Sequence, residues 1–395
     1  MALPPPSAPP PAGSNATAPV SVVVVDDSSV QRRFVRMVIE SDPGLVLVGE
    51  ARTGGDALAL VERLRPQVVL MDLHLPVMNG IEAIERIMAA RPTPILVYSS
   101  FVDGDDRDNA AAALAAGAVD VMAKPGAPDG GPANLEQYAE GLRRRLRLVG
   151  RVKVITHPRA KLGGAGARLS THRLRRPTDS TQAADVRRVA SPSATDPGLT
   201  ARRVKVIAVG ASTGGPQALA TLLSELPAEL EPAVVVVQHM ADGFIEGLAT
   251  WLDGMCPLPV AVGSNGKRLQ PGTVTIAPSG LNLVVHDQLR VTMQEPPRSQ
   301  YHVPGIDVTF GSLADAVGAD AIGLLLTGMG RDGAAGLKRM RDRGAFTIAQ
   351  DEETSAVYGM PAAAMTIGAV DRQLPLGEIG AALRQLTGTH VGEAP

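Results

Sequence analysis

A serine in a glycine-rich turn is placed to act as a nucleophile. Ser212 is the third residue of a G-x-S-x-G motif at 210–214, which follows an apolar run that begins at Val204. A strand that turns through such glycines into a helix lifts a seryl hydroxyl above the carboxyl edge of a sheet. Amides at the start of the helix would stabilise negative charge that develops beside it. The motif predicts a serine nucleophile, the alternative being that Ser212 or Thr213 only caps the helix.

A nucleophilic serine needs a base to take its proton and an acid to orient that base. His239 ends an apolar strand at 233–239, so it is expected at the same sheet edge as Ser212. His286 is expected in a hairpin and His302 in a loop, where either residue is equally well explained as part of the surface.

The candidate for the orienting acid is Asp332, which follows a buried strand at a glycine-rich turn into a helix. Weaker candidates for the acid are Asp242, Asp287, Asp307 and Asp351. The order Ser, His, Asp along the chain differs from that of an α/β-hydrolase, whose acid precedes its histidine.

A second set of reactive side chains lies in the first third of the chain. Asp26 and Asp27 follow the first predicted strand, and Asp72 follows the third. Ser99 and Lys124 follow the fourth and fifth strands. Ligands of an open parallel sheet bind beyond the carboxyl ends of its strands. Three carboxylates there suit Mg²⁺, and a lysine with a hydroxyl suits a phosphoryl group; the alternative is that the adjacent acids cap a helix.

The elements that must position these residues alternate between apolar strands and amphipathic helices. Strands of the first part are predicted at 21–25, 46–50, 67–71, 94–98 and 118–123. Helices are predicted at 30–41, 55–64, 81–90, 107–116 and 135–149. Continuous apolar strands separated by helices predict a doubly wound, five-stranded parallel sheet.

The second part of the chain repeats the α/β alternation. Buried strands are predicted at 204–210, 234–239, 322–327 and 345–349, and shorter, hairpin-like strands at 274–277, 283–286 and 290–294. Helices are predicted at 216–226, 243–252, 308–317 and 333–343. This pattern predicts an α/β domain with a mostly parallel sheet and a β-hairpin.

Composition limits the classes of function and divides the chain. The net charge of −2 and 3% aromatic content argue against binding nucleic acid, and the apolar runs are too short for membrane insertion. One cysteine, Cys256, fits a cytoplasmic location. The expected organisation is a disordered proline-rich tail (1–19), a first domain (20–149), a basic flexible linker (150–202) and a second domain (203–388). The linker carries 11 Lys and Arg residues against 3 Asp between positions 151 and 202.

The first part of the chain resembles a response-regulator receiver domain through the segments VVVVDDSSV, VVLMDLHLPVMNG, a Ser-Ser pair and AKP. The resemblance implies that Asp72 accepts a phosphoryl group from a chemotaxis-type histidine kinase. Asp26 and Asp27 would bind Mg²⁺ together with Asp72 and the backbone carbonyl of His74, while the phosphoryl group would be sensed by Ser99 and Lys124. One departure is Val121, which stands where the family often has an aromatic switch residue.

The second part resembles the catalytic domain of the chemotaxis protein-glutamate methylesterase (CheB) family through VGASTGGP, VVQHM, GTVTIAPSG, LLLTGMGRDGAAGL and IAQDEETSAVYGMP. The resemblance implies Ser212 as nucleophile, His239 as general base and Asp332 as orienting carboxylate. Thr213 would lie beside the nucleophile, and the backbone amide of Met329 would help to hold the oxyanion. The hydrolase site itself would need no cofactor. Residues 304–307 read Pro-Gly-Ile-Asp where the family commonly has Pro-Ser-Val-Asp, which loosens the loop backbone.

The family resemblance implies a phosphorylation-activated hydrolase that removes methyl esters from glutamyl residues of methyl-accepting chemoreceptors. It also implies deamidation of receptor glutamines. The unphosphorylated receiver would cover the Ser212 site. One alternative is a receiver-controlled esterase or amidase with a different substrate. The non-enzyme alternative is a response regulator that binds a receptor or DNA.

Overall fold

The computed structural model of the chain describes residues 18–99, 105–125, 132–152, 199–241, 243–297, 300 and 302–389. The proline-rich tail, apart from its last two residues, and most of the basic linker lie outside these ranges. In the described part of the chain, no helix combines the length and the apolar character that crossing a bilayer requires.

The first domain is built on a five-stranded parallel sheet with the strand order β2-β1-β3-β4-β5. Its strands are β1 (Val20–Val25), β2 (Leu45–Ala51), β3 (Val68–Met71), β4 (Ile95–Ser99) and β5 (Asp120–Ala123). Its helices are α1 (Ser29–Glu40), α2 (Gly54–Leu64), α3 (Gly80–Ala90), α4 (Asp105–Ala115) and α5 (Pro132–Val149). Helices α1 and α5 pack on one face of the sheet, and α2, α3 and α4 on the other. The doubly wound fold predicted from the sequence is therefore confirmed.

Local side-chain caps start the first three helices of this domain. Ser28 accepts a hydrogen bond from the amide of Gln31, and Thr53 and Asn79 cap α2 and α3 in the same way. Such caps satisfy amides that the helix itself leaves without a partner. Because Ser28 caps α1, the carboxylates of Asp26 and Asp27 are not used as its cap.

The second domain contains a seven-stranded sheet with the order β14-β13-β12-β6-β7-β9-β8, and every pair in it is parallel. Its strands are β6 (Val206–Ala211), β7 (Ala233–Gln238), β8 (Val260–Val262), β9 (Val274–Ile276), β12 (Ala321–Leu325), β13 (Phe346–Gln350) and β14 (Arg372–Leu374). The helices are α6 (Gly215–Ser224), α7 (Ile245–Asp253), α8 (Ile306–Ala316), α9 (Ala334–Asp342), α10 (Met360–Thr366) and α11 (Leu376–Thr387).

A separate antiparallel hairpin joins β10 (Asn282–Val285) to β11 (Val291–Gln294), as the sequence predicts. The prediction of a hairpin-like strand at 274–277 was wrong, because β9 lies inside the main sheet and pairs in parallel with β7 and β8. Three-residue strands such as β9 are too short to show a period, so the sequence does not reveal their partner.

Candidate active site

The turn between β6 and α6 presents Ser212 at the carboxyl edge of the sheet. Its amide donates to the carbonyl of Thr327 (3.0 Å), and its carbonyl accepts from Gly215 (2.7 Å). Gly214 has φ +75°, and a Cβ there would lie 2.4 Å from that of Ala356, so the turn requires glycine. Gly214 is the N-cap of α6 and no side chain bonds there, which excludes the helix-capping alternative for Ser212 and Thr213.

His239 directly follows β7, the strand next to β6, and is buried. Its Nε2 lies 2.8 Å from Oδ2 of Asp332, in the loop between β12 and α9. Because β6 lies between β7 and β12 in the sheet, residues that are distant along the chain meet at one edge. The structure thus brings the predicted base and acid into hydrogen-bonding contact.

The carboxylate of Asp332 determines which nitrogen of His239 is free to act. An ionised carboxylate only accepts hydrogen bonds, so Nε2 of His239 must carry the proton. In the neutral ring, Nδ1 then holds the lone pair. Nδ1 is buried and has no hydrogen-bond partner among the described residues, so its bond to the hydroxyl of Ser212 is not formed in this structure.

Backbone amides hold Asp332 in its ionised form. Oδ2 accepts from Ile306 (2.8 Å), and Oδ1 accepts from Asp307 and Gly333 (both 3.0 Å). Burial by itself would raise the pKa of Asp332, but the hydrogen bond and charge of His239, with these amides, lower the pKa below its usual value. The carboxylate therefore stays negative and keeps His239 in one tautomer.

The loop that carries Met329 comes close to Ser212. A Cβ on Gly328 would lie 2.7 Å from that of Ser212, so only glycine permits this approach. Thr327, immediately before it, donates from Oγ1 to the carbonyl of Thr213 (3.0 Å) and from its amide to Oε1 of Gln350 (2.8 Å). These bonds fix the segment 327–329 against the turn that holds Ser212.

In the first domain, the predicted carboxylates converge. One ligand oxygen from each of Asp26, Asp27 and Asp72 lies within 4.8 Å of the others. Nζ of Lys124 is 2.7 Å from Oδ2 of Asp72 and 2.8 Å from Oδ2 of Asp26. Ser99 is fully buried, and its hydroxyl has no hydrogen-bond partner in the described part of the chain. The donor set fits a hard divalent cation, and the Ser99 hydroxyl is available to an incoming oxyanion.

The pKa values of this cluster are shifted by burial and by mutual contact. Burial raises the pKa of Asp72, and the charge of Asp26 adds to that rise, whereas Lys124 opposes it. Burial would lower the pKa of Lys124, but its hydrogen bonds to both carboxylates raise it above the ordinary value. The lysine therefore remains a cation that neutralises part of the charge of the cluster.

Comparison with known proteins identifies both domains. A family model described as CheB methylesterase matches residues 207–383, and the response regulator receiver domain model matches residues 22–135. Protein-glutamate methylesterase/protein-glutamine glutaminase 3 of Paramagnetospirillum magneticum is 39% identical over 380 residues, which cover 96% of this chain and 99% of that protein.

The chain belongs to the CheB family.

A second relative of this CheB-family chain, protein-glutamate methylesterase/protein-glutamine glutaminase 2 of Anaeromyxobacter dehalogenans, is 42% identical over 371 residues. These cover 93% of the chain and 97% of that protein. The crystal structure of the Thermotoga maritima CheB methylesterase catalytic domain is 34% identical, covers 46% of this chain and 97% of that one, and has a TM-score of 0.44.

Sequence reasoning missed Gln238 at this CheB-family site, and it named His302 as a candidate base but missed its contact with His239. Gln238 is fully buried, and its Nε2 donates to the carbonyls of Ser212 (2.9 Å) and His239 (2.8 Å), so it ties the two turns together. The ring of His302 stacks on that of His239, with centroids 4.7 Å apart and an interplanar angle of 11°. The position of Gln238 at the end of a buried strand could have pointed to it. The sequence of the loop gave no sign that His302 would stack on His239.

The other histidine and acid candidates lie elsewhere. His286 contacts Thr292 within the hairpin and is exposed. Asp351 accepts from the amide of Thr354, outside the contacts of His239. Asp287 lies in the short 3₁₀ turn of the hairpin. Asp242 falls outside the described residues. Asp307 alone lies beside Asp332.

Proposed function

We propose that this chain hydrolyses γ-methyl esters of glutamyl residues in methyl-accepting chemoreceptors, releasing methanol, and deamidates receptor glutamines in chemotaxis-type adaptation. The relatives that align over nearly the full chain carry both activities in their names. The observation that carries the proposal is the hydrogen bond from His239 to Asp332, which leaves Nδ1 as a base at the edge that presents Ser212.

In the proposed reaction, Nδ1 of His239 takes the proton of Ser212 as Oγ attacks the γ-carbonyl of the substrate. The tetrahedral intermediate collapses when the imidazolium returns its proton to the departing methoxide, which leaves as methanol. A water molecule, deprotonated by the same nitrogen, then attacks the glutamyl ester of Ser212 and releases a carboxylate. With glutamine as substrate, ammonia leaves in the first half of the reaction.

Charge that develops on the carbonyl oxygen needs donors next to Ser212. The backbone amide of Met329 is the proposed donor, because Gly328 brings this loop against the nucleophile. Thr213 follows the nucleophile, and its carbonyl is held by Thr327. An amide fixed in advance at such a position lowers the barrier because it needs no reorganisation during the reaction.

Contacts between the two domains support control of this site by the receiver. Asp120 in β5 of the receiver is buried, which raises the pKa of its carboxyl, and the nearby side chain of Thr213, beside the nucleophile, opposes that rise. Gln217 of α6 donates to the carbonyls of Leu114 and Ala118 in the receiver. We propose that this arrangement is the inhibited one and that phosphorylation of Asp72 weakens it.

The receiver residues suited to phosphorylation are those of the carboxylate cluster. Asp26, Asp27 and Asp72, with the carbonyl of His74, would hold Mg²⁺, which neutralises charge on a transferring phosphoryl group. Ser99 and Lys124 would contact the phosphoryl oxygens once Asp72 is modified by a histidine kinase. Since Lys124 now bridges Asp26 and Asp72, phosphorylation must redirect it.

The proposal is tested by the release of volatile methanol from receptor membranes that carry labelled methyl esters. Wild-type protein treated with a small-molecule phosphodonor should release methanol, Ser212→Ala should not, and Asp72→Ala should release it only at the basal rate. Small unrelated esters are assayed in parallel. Rapid turnover of those esters without any turnover of the receptors would favour a different substrate.

A further inference from the structure

We propose that His302 is a positioning residue for His239: its ring stacks on the imidazole and fixes the plane in which Nδ1 faces the seryl hydroxyl. This inference rests on the proposed function. The two rings are nearly parallel, at 11°, with 4.7 Å between centroids. Offset stacking at this separation is a favourable aromatic contact.

His239 needs such a support because, within the part of the chain that the structure describes, its ring has a single side-chain hydrogen bond. Nε2 is held by Asp332 at 2.8 Å, while Nδ1 has no partner among the described residues. One hydrogen bond fixes one atom of the ring but leaves the ring able to turn about that contact. A flat neighbour against its face restricts this rotation, so the unpartnered nitrogen keeps its direction.

A built hydrogen-bond network holds His302 in place. Nε2 of Gln300 donates to the carbonyl of His302 (2.6 Å) and to Oδ1 of Asn282 (2.9 Å). Asn282, which is buried at the start of β10, donates back to Oε1 of Gln300 (2.9 Å) and accepts from Gly305 (2.8 Å). The hairpin therefore anchors the loop that carries the stacking ring.

The surroundings of His302 favour its neutral form, although part of the residue is exposed to solvent. Partial burial lowers the pKa of His302, the neighbouring His239 and the guanidinium groups of Arg144 and Arg145 lower it further, and Asp332 opposes them. A neutral ring can stack on the base and on its imidazolium, whereas a charged one would repel the imidazolium that forms during the reaction.

The test compares His302→Ala, His302→Phe and the control His286→Ala in the full-length chain, with methanol release from methylated receptors as the assay. His286 lies in the hairpin and contacts Thr292, away from the base. Loss of one aromatic contact should lower kcat of His302→Ala roughly three- to tenfold with little change in KM. Phenylalanine should restore most of kcat, because it keeps the flat ring, and His286→Ala should match wild type.

A spectroscopic measurement makes the outcome independent of turnover. In ¹⁵N-histidine-labelled protein, the ring of His239 should show the Nε2–H tautomer in every variant, because Asp332 fixes it. Relaxation of the ring nitrogens should report greater ring motion in His302→Ala than in wild type or His302→Phe. Normal kcat and unchanged ring motion in His302→Ala, or no rescue by phenylalanine, would overturn the inference. Methanol release by Ser212→Ala would instead overturn the proposed function, so the two failures are distinguishable.

Discussion

Asp307 and Asp332 each cap the helix that begins beside the other. Asp332, just before α9, accepts from the amides of Ile306 and Asp307 in the first turn of α8. Asp307 in turn accepts from the amide of Gly336 in the first turn of α9. Both carboxylates thus lie where helix dipoles favour negative charge. The exchange locks the orienting acid to two helices, and it also brings two like charges together.

Replacing Asp307 by asparagine should therefore change stability in a pH-dependent manner. Burial and the charge of Asp332 raise the pKa of Asp307. A carboxyl with a raised folded pKa stabilises the fold below its unfolded pKa of about 4, and this contribution is lost as pH rises through the folded pKa. Asparagine keeps an acceptor for Gly336 but cannot ionise.

The melting temperature of Asp307→Asn minus that of wild type should consequently be more positive at about pH 8 than at about pH 5. Thermal unfolding monitored by intrinsic fluorescence or calorimetry at both pH values gives this comparison. A relative loss of stability at the higher pH would show that the charge of Asp307 is favourable in the fold.

Asp332→Asn should nearly abolish catalysis. The amide can donate to Nε2 of His239, which would move the ring proton to Nδ1 and remove the lone pair that serves as base. In a comparable serine-protease triad this substitution costs roughly 10⁴-fold in kcat. Single-turnover methanol release measures the loss. Asp315→Asn, on the exposed side of α8, is the matched control and should retain wild-type kcat.

Lys124→Met should make the thermal stability of the receiver depend more strongly on Mg²⁺. The lysine forms ion pairs with Asp26 and Asp72 at a buried site, and removing it leaves their carboxylates uncompensated. Breaking a buried pair in this way costs about 3–5 kcal/mol. Saturating Mg²⁺ should therefore raise the melting temperature of Lys124→Met more than that of wild type. The absence of any Mg²⁺-dependent shift in both proteins would argue against a cation among these carboxylates.

Gln217→Ala should raise the basal esterase rate without phosphorylation. Its side chain joins α6 to the receiver carbonyls of Leu114 and Ala118, and alanine removes both bonds. The loss of a hydrogen bond worth about 1 kcal/mol shifts a closed–open equilibrium roughly fivefold. Methanol release is measured without a phosphodonor. Ser224→Ala, on the same helix but bonded within it to the carbonyl of Thr221, should leave the basal rate unchanged.

The sequence predicts the site best where a reactive side chain follows a clear apolar strand. Ser212, His239 and Asp332 each follow a long apolar strand, so the meeting of parallel strand ends predicts their common edge. The short edge strands β8 and β14 were not predicted, because three residues cannot display a period. Helices α10 and α11 were also absent from the prediction.

The contact between His302 and His239 could not be read from the sequence for a different reason. The position of His302 is set by the amide pair between Gln300 and Asn282, which are 18 positions apart, and by the bond from Gln300 to the carbonyl of His302. No local pattern encodes a pairing of that kind. The reciprocal caps of Asp307 and Asp332 could not be predicted from the sequence either, because each depends on how α8 and α9 pack.

Ser212, His239 and Asp332 follow β6, β7 and β12, three adjoining strands at the centre of the seven-stranded sheet. The hydrogen bonds of the sheet thus hold the three supporting strands about 4.8 Å apart. The edge strands β8 and β14 lie outside this central group. Substitutions in those edge strands should therefore leave the relative positions of Ser212, His239 and Asp332 unchanged.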